Sequence, residues 1–276
     1  MGILNVTPDS FSDGGQFANV PAAVAQAERM AEEGADIIDV GGESTRPGAA
    51  PVSIDQEIAR VVPVIRAITG IARISVDTRN GAVAEAAVGA GATLINDVSA
   101  TLGPIAAKLG VGYIAMHMQG EPGSMQEAPR YHNVVTEVCD FLSNRAEAAA
   151  AAGCGEVWID PGFGFGKTEE HNLDLLTQLN RITALPYPVM VGISRKRWIG
   201  ALHTRSDRRI QSQAPEVGVD DRLEGSVATA AYAMLLGAKM IRVHDVKAGW
   251  QAAVVASGQI SPDEMYEKHQ TVGGDR

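Results

Sequence analysis

The residues best suited to chemistry lie in Val157 to Thr168, VWIDPGFGFGKT. A short apolar run ends in an acid, Asp160, and gives way to a glycine-rich loop. Pro161, Gly162, Gly164 and Gly166 forbid a regular element and let backbone approach a ligand closely, while Phe163, Phe165 and Lys167 offer flat faces and a cation. Polar residues take the same position elsewhere. Asn5, Asp39 with Glu43, Asp77, Asn96 with Asp97, His117, Ser194 with Arg195 and Lys196, and Arg242 with His244 each end or closely follow an apolar run. Asp77, Asn96 and Asp160 combine donors and acceptors that suit the edge of a flat polar heterocycle. Arg242, His244, Asn5 and Arg46 suit an anion held by charge-assisted bonds. Each residue also has a plain structural reading: Asp77 or Asp160 could cap a helix, Asn96 could close a turn, and Arg195 to Arg197 could be a solvated run.

What gathers them is the cadence of the elements. Short apolar runs predict strands at Gly2 to Val6, Asp36 to Val40, Ile74 to Asp77, Leu94 to Asn96, Tyr113 to Met116, Val157 to Asp160, Val189 to Val191 and Met240 to Val243. Helical composition fills the gaps: Pro21 to Glu33, Ser53 to Ile68 with Gln56 at capping-box spacing from Ser53, Ala82 to Ala90, Pro104 to Leu109, Val134 to Ala152, His171 to Ile182 and Arg222 to Leu236. Glycine recurs between a helix end and the next strand in EEGAD, GAGAT, KLGVG, AAGCG and LLGAK. Strands alternating with helices in this way predict a single α/β domain over residues 1–276, a closed (β/α)8 TIM barrel, with a doubly wound open sheet as the runner-up. A barrel would bring the polar strand ends to one rim. Residues 203–221, HTRSDRRIQSQAPEVGVDD, are expected to form a surface loop, and 265–276 a flexible tail.

Composition limits the partners. The chain has 276 residues, 45% of them hydrophobic, which is enough for a sizeable core. A net charge of −10 argues against nucleic acid or an anionic membrane as a general partner, so any bound anion needs a local basic pocket. Cys139 and Cys154 show neither disulfide-framework nor metal-ligand spacing. With no signal-peptide pattern or long apolar stretch, a cytoplasmic protein is expected.

Eight segments together resemble dihydropteroate synthase, the folate-pathway family inhibited by sulfonamides: MGILNVTPDSFSDGG, DVGGESTRPGA, SVDT, INDVS, MHMQG, DPGFGFGKT, GISRK and RVHDV, in that order along nearly the whole chain. The resemblance implies condensation of 6-hydroxymethyl-7,8-dihydropterin diphosphate with p-aminobenzoate, releasing pyrophosphate. It implies a pterin site of Asp77, Asn96, Met116, Asp160 and Lys196. It further implies a diphosphate site of Asn5, Thr45, Arg46, Arg242 and His244, with Asn5 also meeting Mg²⁺. The p-aminobenzoate site it implies comprises Phe11, Thr45, Arg46, Pro47, Phe165 and Ser194. Asp77, Asp160, Lys196, Arg242 and His244 would be the catalytic set, without a covalent enzyme intermediate. Sulfonamides would be candidate inhibitors and the protein a homodimer, with Ala228 to Leu236 as one apolar face for it. Relatives commonly place residues before the first strand as a hairpin under the barrel, and the start at Met1 implies a less covered floor. The alternatives are an inactive or drug-insensitive paralogue and a corrinoid-linked pterin methyltransferase domain, against which STRPG and SRK speak.

Overall fold

A computed structural model describes residues 1–7, 19–43 and 52–258. Strands β1 (Gly2–Asn5), β2 (Ile37–Gly41), β3 (Arg73–Asp77), β4 (Leu94–Asp97), β5 (Gly112–Met116) and β6 (Val157–Asp160) form one parallel sheet in chain order. β7 (Met190–Val191) pairs only with β8 (Met240–Ile241) in a regular ladder. Backbone bonds close the ring on both sides of that pair. Ile159 N donates to Pro188 O at 3.0 Å, while Ile3 N donates to Val243 O and Val243 N to Met1 O, each at 3.0 Å. The predicted barrel is therefore present, and the open sheet is excluded.

Ten helices lie among the described residues, and their ends carry the expected chemistry. α1 (Asn19–Glu32) precedes β2, and α2 (Ile54–Ile68) opens with the predicted capping box between Ser53 and Gln56. α3 (Gly81–Ala90), α4 (Gly103–Leu109) and α5 (Val134–Ala151) follow β3, β4 and β5. The five junction glycines all take positive φ, from 68° at Gly110 to 126° at Gly91, which explains why glycine marks each helix exit.

Three expectations need correction. The single helix predicted over His171 to Ile182 is two, α6 (Glu169–Thr177) and α7 (Leu179–Thr183), separated at Gln178. Residues 203–210 are not loop but the second half of α8 (Arg197–Ile210), so the irregular stretch begins at Gln211. Its charged residues suggested a loop, yet helical spacing puts Trp198, Ile199, Gly200 and Thr204 on one buried face and leaves the charges in solvent. After α9 (Leu223–Leu235) and β8, a further helix, α10 (Val246–Ser257), packs on α9; the sequence reading had not placed it. The predicted tail at 265–276 lies outside the described residues.

Strand periodicity explains where the site comes from. Ile38, Val40, Val76, Ile95, Tyr113, Ala115, Ile159, Val191 and Ile241 point outward into the layer shared with the helices. Their neighbours Ile37, Leu94, Ile114 and Met190 meet inside the barrel in a separate apolar cluster, packed by Trp158 and Met240. Two residues further along each of those strands, the same inward face carries Asp39, Asn96, Met116, Gly192, Asp160 and Arg242. The barrel interior is thus an apolar plug with a polar mouth.

Candidate functional site

Asp39 is the hub of that mouth. Its side chain is 0% exposed, and its Oδ2 accepts Asn96 Nδ2 at 3.0 Å and Arg242 Nε at 2.6 Å. Arg242 Nη2 reaches Asp77 Oδ2 at 2.7 Å, so one guanidinium joins carboxylates from β2 and β3. Among the described residues, Asp39 Oδ1, Asn96 Oδ1 and Ser75 Oγ remain buried without a partner. Each such acceptor costs roughly 1–3 kcal/mol unless a ligand donates to it, which is the condition expected of a site that waits for a donor-bearing ring. Burial pushes Asp77 above the ordinary carboxylate range although Arg242 opposes it, and burial raises Asp160 as well. Burial alone would lower Arg242, but Asp39 and Asp77 more than reverse this. Asp39, Asp77 and Asp160 share this mouth with Arg242 and Lys196, and Lys167 also acts on Asp160; the upward shifts of Asp77 and Asp160 let a carboxyl group there donate as well as accept a hydrogen bond.

The loop after β6 is shaped from within. Gly162, Gly164 and Gly166 take φ of 64°, 79° and 59°, and a Cβ on Gly162 or Gly166 would overlap the carbonyl oxygens of His117 and Gln119. Lys167 is buried beneath it. Its Nζ lies 2.9 Å from His117 Nδ1 and donates to Gly162 O and Phe165 O at 3.0 Å each. Phe163 is also core, stacked on Trp198. Of Phe163, Phe165 and Lys167, it is Phe165 that adjoins the mouth, its ring centroid 4.1 Å from Lys196 Nζ.

Beyond the short β7 and β8 strands, side chains continue the pairing. His244 N donates to Ser194 Oγ at 3.2 Å and its Nδ1 lies 3.1 Å from the same oxygen. Burial, with Arg242 nearby, lowers His244 to about 4, so the imidazole is neutral near pH 7.

Residues 1–244 match the sequence profile of the family described as pterin binding enzyme. The chain belongs to the pterin binding enzyme family. It is 45% identical over 271 residues to the dihydropteroate synthase of Haemophilus influenzae, covering 93% of this chain and 94% of that protein. Its fold matches a dihydropteroate synthase of Xanthomonas albilineans solved with 4-aminobenzoic acid, with a TM-score of 0.83, 45% identity and coverage of 95% and 93%. A Yersinia pestis dihydropteroate synthase in a sulfonamide drug complex matches with a TM-score of 0.82, 43% identity and coverage of 94% and 93%.

Within this pterin-binding barrel, the strand-end residues named from sequence separate into two groups. Asp77, Asn96, Asp160, Arg242 and Met116 lie on the inward face of the mouth, and Lys196 and Phe165 adjoin it. Ser194, expected beside p-aminobenzoate, pairs with His244, the residue expected at the diphosphate. Asp97 turns outward to cap its own loop, accepting from Ser99, Thr101, Leu102 and Tyr113. His117 is taken up by Lys167, Glu43 by Arg79, and Arg195 by Asp245. Phe11, Thr45, Arg46 and Pro47 lie outside the described residues. Asp39 had been placed on the rim without a role; the signal available was an acid inside an otherwise apolar strand, IIDVG.

The donor set bears on the expected Mg²⁺. Among the described residues no group of three or more His, Cys, Asp or Glu could hold a metal. Asn5 Oδ1 lies 3.6 Å, and Asp77 Oδ2 3.7 Å, from the point where a Cβ on Gly41 would stand, so the glycine leaves open the space between them. One amide oxygen at such an opening fits an ion that keeps its waters and takes its other ligands from a diphosphate.

Proposed function

We propose that the barrel mouth performs the dihydropteroate synthase reaction: 6-hydroxymethyl-7,8-dihydropterin diphosphate and p-aminobenzoate give 7,8-dihydropteroate and pyrophosphate. The observation that carries this reading is the network in which Arg242 holds Asp39 and Asp77 while Asn96 donates to Asp39, with buried acceptors beside it that lack a partner among the described residues. The high identity to synthases supports it.

Asp77, Asn96 and Asp160 hold the donor edge of the pterin, with Met116 and Lys196 against the ring. Arg242 and neutral His244, with Asn5, receive the diphosphate. Mg²⁺ bound at Asn5 would offset charge on the leaving diphosphate. The bond between the pterin methylene carbon and the diphosphate oxygen breaks, and its electron pair leaves with pyrophosphate. The resulting cation spreads into the ring beside the carboxyl groups of Asp77 and Asp160. The arylamine nitrogen then gives its lone pair to the methylene carbon and releases a proton. No side-chain nucleophile takes part.

Phe165 forms one wall for p-aminobenzoate, and sulfonamides would compete there; Thr45, Arg46, Pro47 and Phe11 complete that subsite in this reading. A homodimer is supported by the exposed Tyr232 and Leu235 of α9 and Trp250 and Val255 of α10, whereas Ala230 and Ala233 of the same apolar stretch are core. No described helix is long and apolar enough to cross a membrane. Pyrophosphate release from the pterin diphosphate with Mg²⁺, measured with and without p-aminobenzoate, tests the activity. Formation of dihydropteroate is the expected result, and binding without condensation would reject the catalytic part.

A further inference from the structure

Arg195 sits between two residues of the proposed site, Ser194 and Lys196, yet its own side chain turns away from both. Its guanidinium makes a bidentate pair with Asp245, Nη2 to Oδ1 at 2.6 Å and Nε to Oδ2 at 3.0 Å. A second contact, to the highly exposed Asp220, adds little. Asp245 directly follows His244, and His244 is bonded to Ser194. Consecutive residues on the β7 loop are therefore tied to consecutive residues on the β8 loop, where the strands themselves contribute only two residues each.

The backbone of Arg195 is held just as firmly. It takes φ of 57°, a conformation that costs a non-glycine residue roughly 1–2 kcal/mol and persists only where the surroundings enforce it. Its N–H donates to Ser226 Oγ at 2.9 Å and its carbonyl accepts Arg222 Nη1 at 3.1 Å. This left-handed turn lets Ser194 and Lys196 both serve the site while the residue between them points elsewhere.

We propose that the Arg195–Asp245 pair is a positioning clamp that fixes Lys196, on the pterin side, relative to His244, on the diphosphate side, so that the ring and its leaving group are held in one register. The proposal rests on the assignment of these two subsites above. Arg195 touches no substrate; it acts through its neighbours.

The test compares binding of the pterin diphosphate with binding of the same pterin alcohol lacking the diphosphate, by calorimetry with Mg²⁺, in wild type, Arg195→Met, Arg195→Lys and Asp245→Asn. Wild type should prefer the diphosphate. In Arg195→Met and Asp245→Asn that preference should shrink roughly tenfold while affinity for the bare alcohol changes less than about threefold, since sub-ångström misplacement is felt most where charge is bound. Arg195→Lys, which keeps the charge but not the fork, should recover part of the loss. A preference unchanged in both Arg195→Met and Asp245→Asn would overturn the clamp, as would equal weakening of both ligands in step with a lowered Tm. Asp245→Asn keeps the size of the side chain and serves if Arg195→Met does not fold. If wild type shows no preference for the diphosphate, the subsite assignment itself fails, which is a distinguishable result.

Discussion

Arg242 holds two carboxylates from different strands with one guanidinium, donating to Asp39 at 2.6 Å and Asp77 at 2.7 Å. Removing it would leave both acids without their hydrogen-bonded counter-charge, with Lys196 still acting on Asp77. Arg242→Met should therefore lower stability by about 3–5 kcal/mol, as for a broken buried pair. In the protein that folds, kcat/KM should fall by roughly 100-fold or more through lost stabilisation of the leaving group. Urea unfolding and steady-state kinetics check the two effects separately.

Gly41 offers a probe that barely touches the fold. A methyl group there would meet Asn5 and Asp77 at ordinary contact distances of 3.6 to 3.7 Å, but it would occupy the space between them. Gly41→Ala should leave unfolding free energy within about 1 kcal/mol of wild type while weakening the pterin diphosphate at least tenfold. Equal affinity in calorimetry would show that the ligand does not use this opening.

Gly162→Ala should behave in the opposite way. Its Cβ would overlap the His117 carbonyl, and its φ of 64° is unfavourable for alanine, so a loss of about 3 kcal/mol or more is expected. A melt within a degree or two of wild type would contradict that account of the loop.

Lys167 supplies a pH signature. Burial lowers it to about 7 from an ordinary value of 10.5, so between those values the unfolded chain binds more protons than the folded one. Stability from this group is complete above 10.5 and is lost as pH falls through about 7. The wild-type advantage over Lys167→Met, measured by urea unfolding, should thus grow from pH 7 to 10. A constant difference would mean that the amine titrates normally. His117, lowered far below its ordinary 6.5 by burial and by Lys167, acts with the same sign on the acid side, where stability falls below pH 6.5.

Phe165 lies over the Lys196 ammonium and forms the proposed arylamine wall. Phe165→Leu keeps apolar volume but removes the ring face, so KM for p-aminobenzoate should rise roughly 5- to 30-fold, matching about 1–2 kcal/mol. KM for the pterin diphosphate should change little. If both constants rise together, the residue shapes the whole mouth rather than one subsite.

Much of this was legible in one dimension because the signals are local. Apolar runs of strand length, the Ser53–Gln56 cap and the junction glycines each depend on neighbouring residues, so they predicted the elements and their parallel order. The motifs that resemble dihydropteroate synthase pointed to the pterin residues for the same reason. The second half of α8 was hidden where composition opposed pattern: charged residues concealed a helix whose buried face is only one side wide.

The sequence by itself determined that eight strands alternate with helices and that polar residues stand at their ends. Only the tertiary structure decided which of those residues share a pocket. Barrel closure depends on a few backbone bonds, two at Val243 and one at Pro188, and strand periodicity sends Asp39, Asn96 and Asp160 inward while it sends Asp97 outward. Whether Arg195 or Lys167 meets a ligand or a partner within the protein is likewise set by residues 50 positions away, Asp245 and His117. The physical reason is that burial and pairing of a charge are properties of the folded surroundings, which no stretch of chain carries alone.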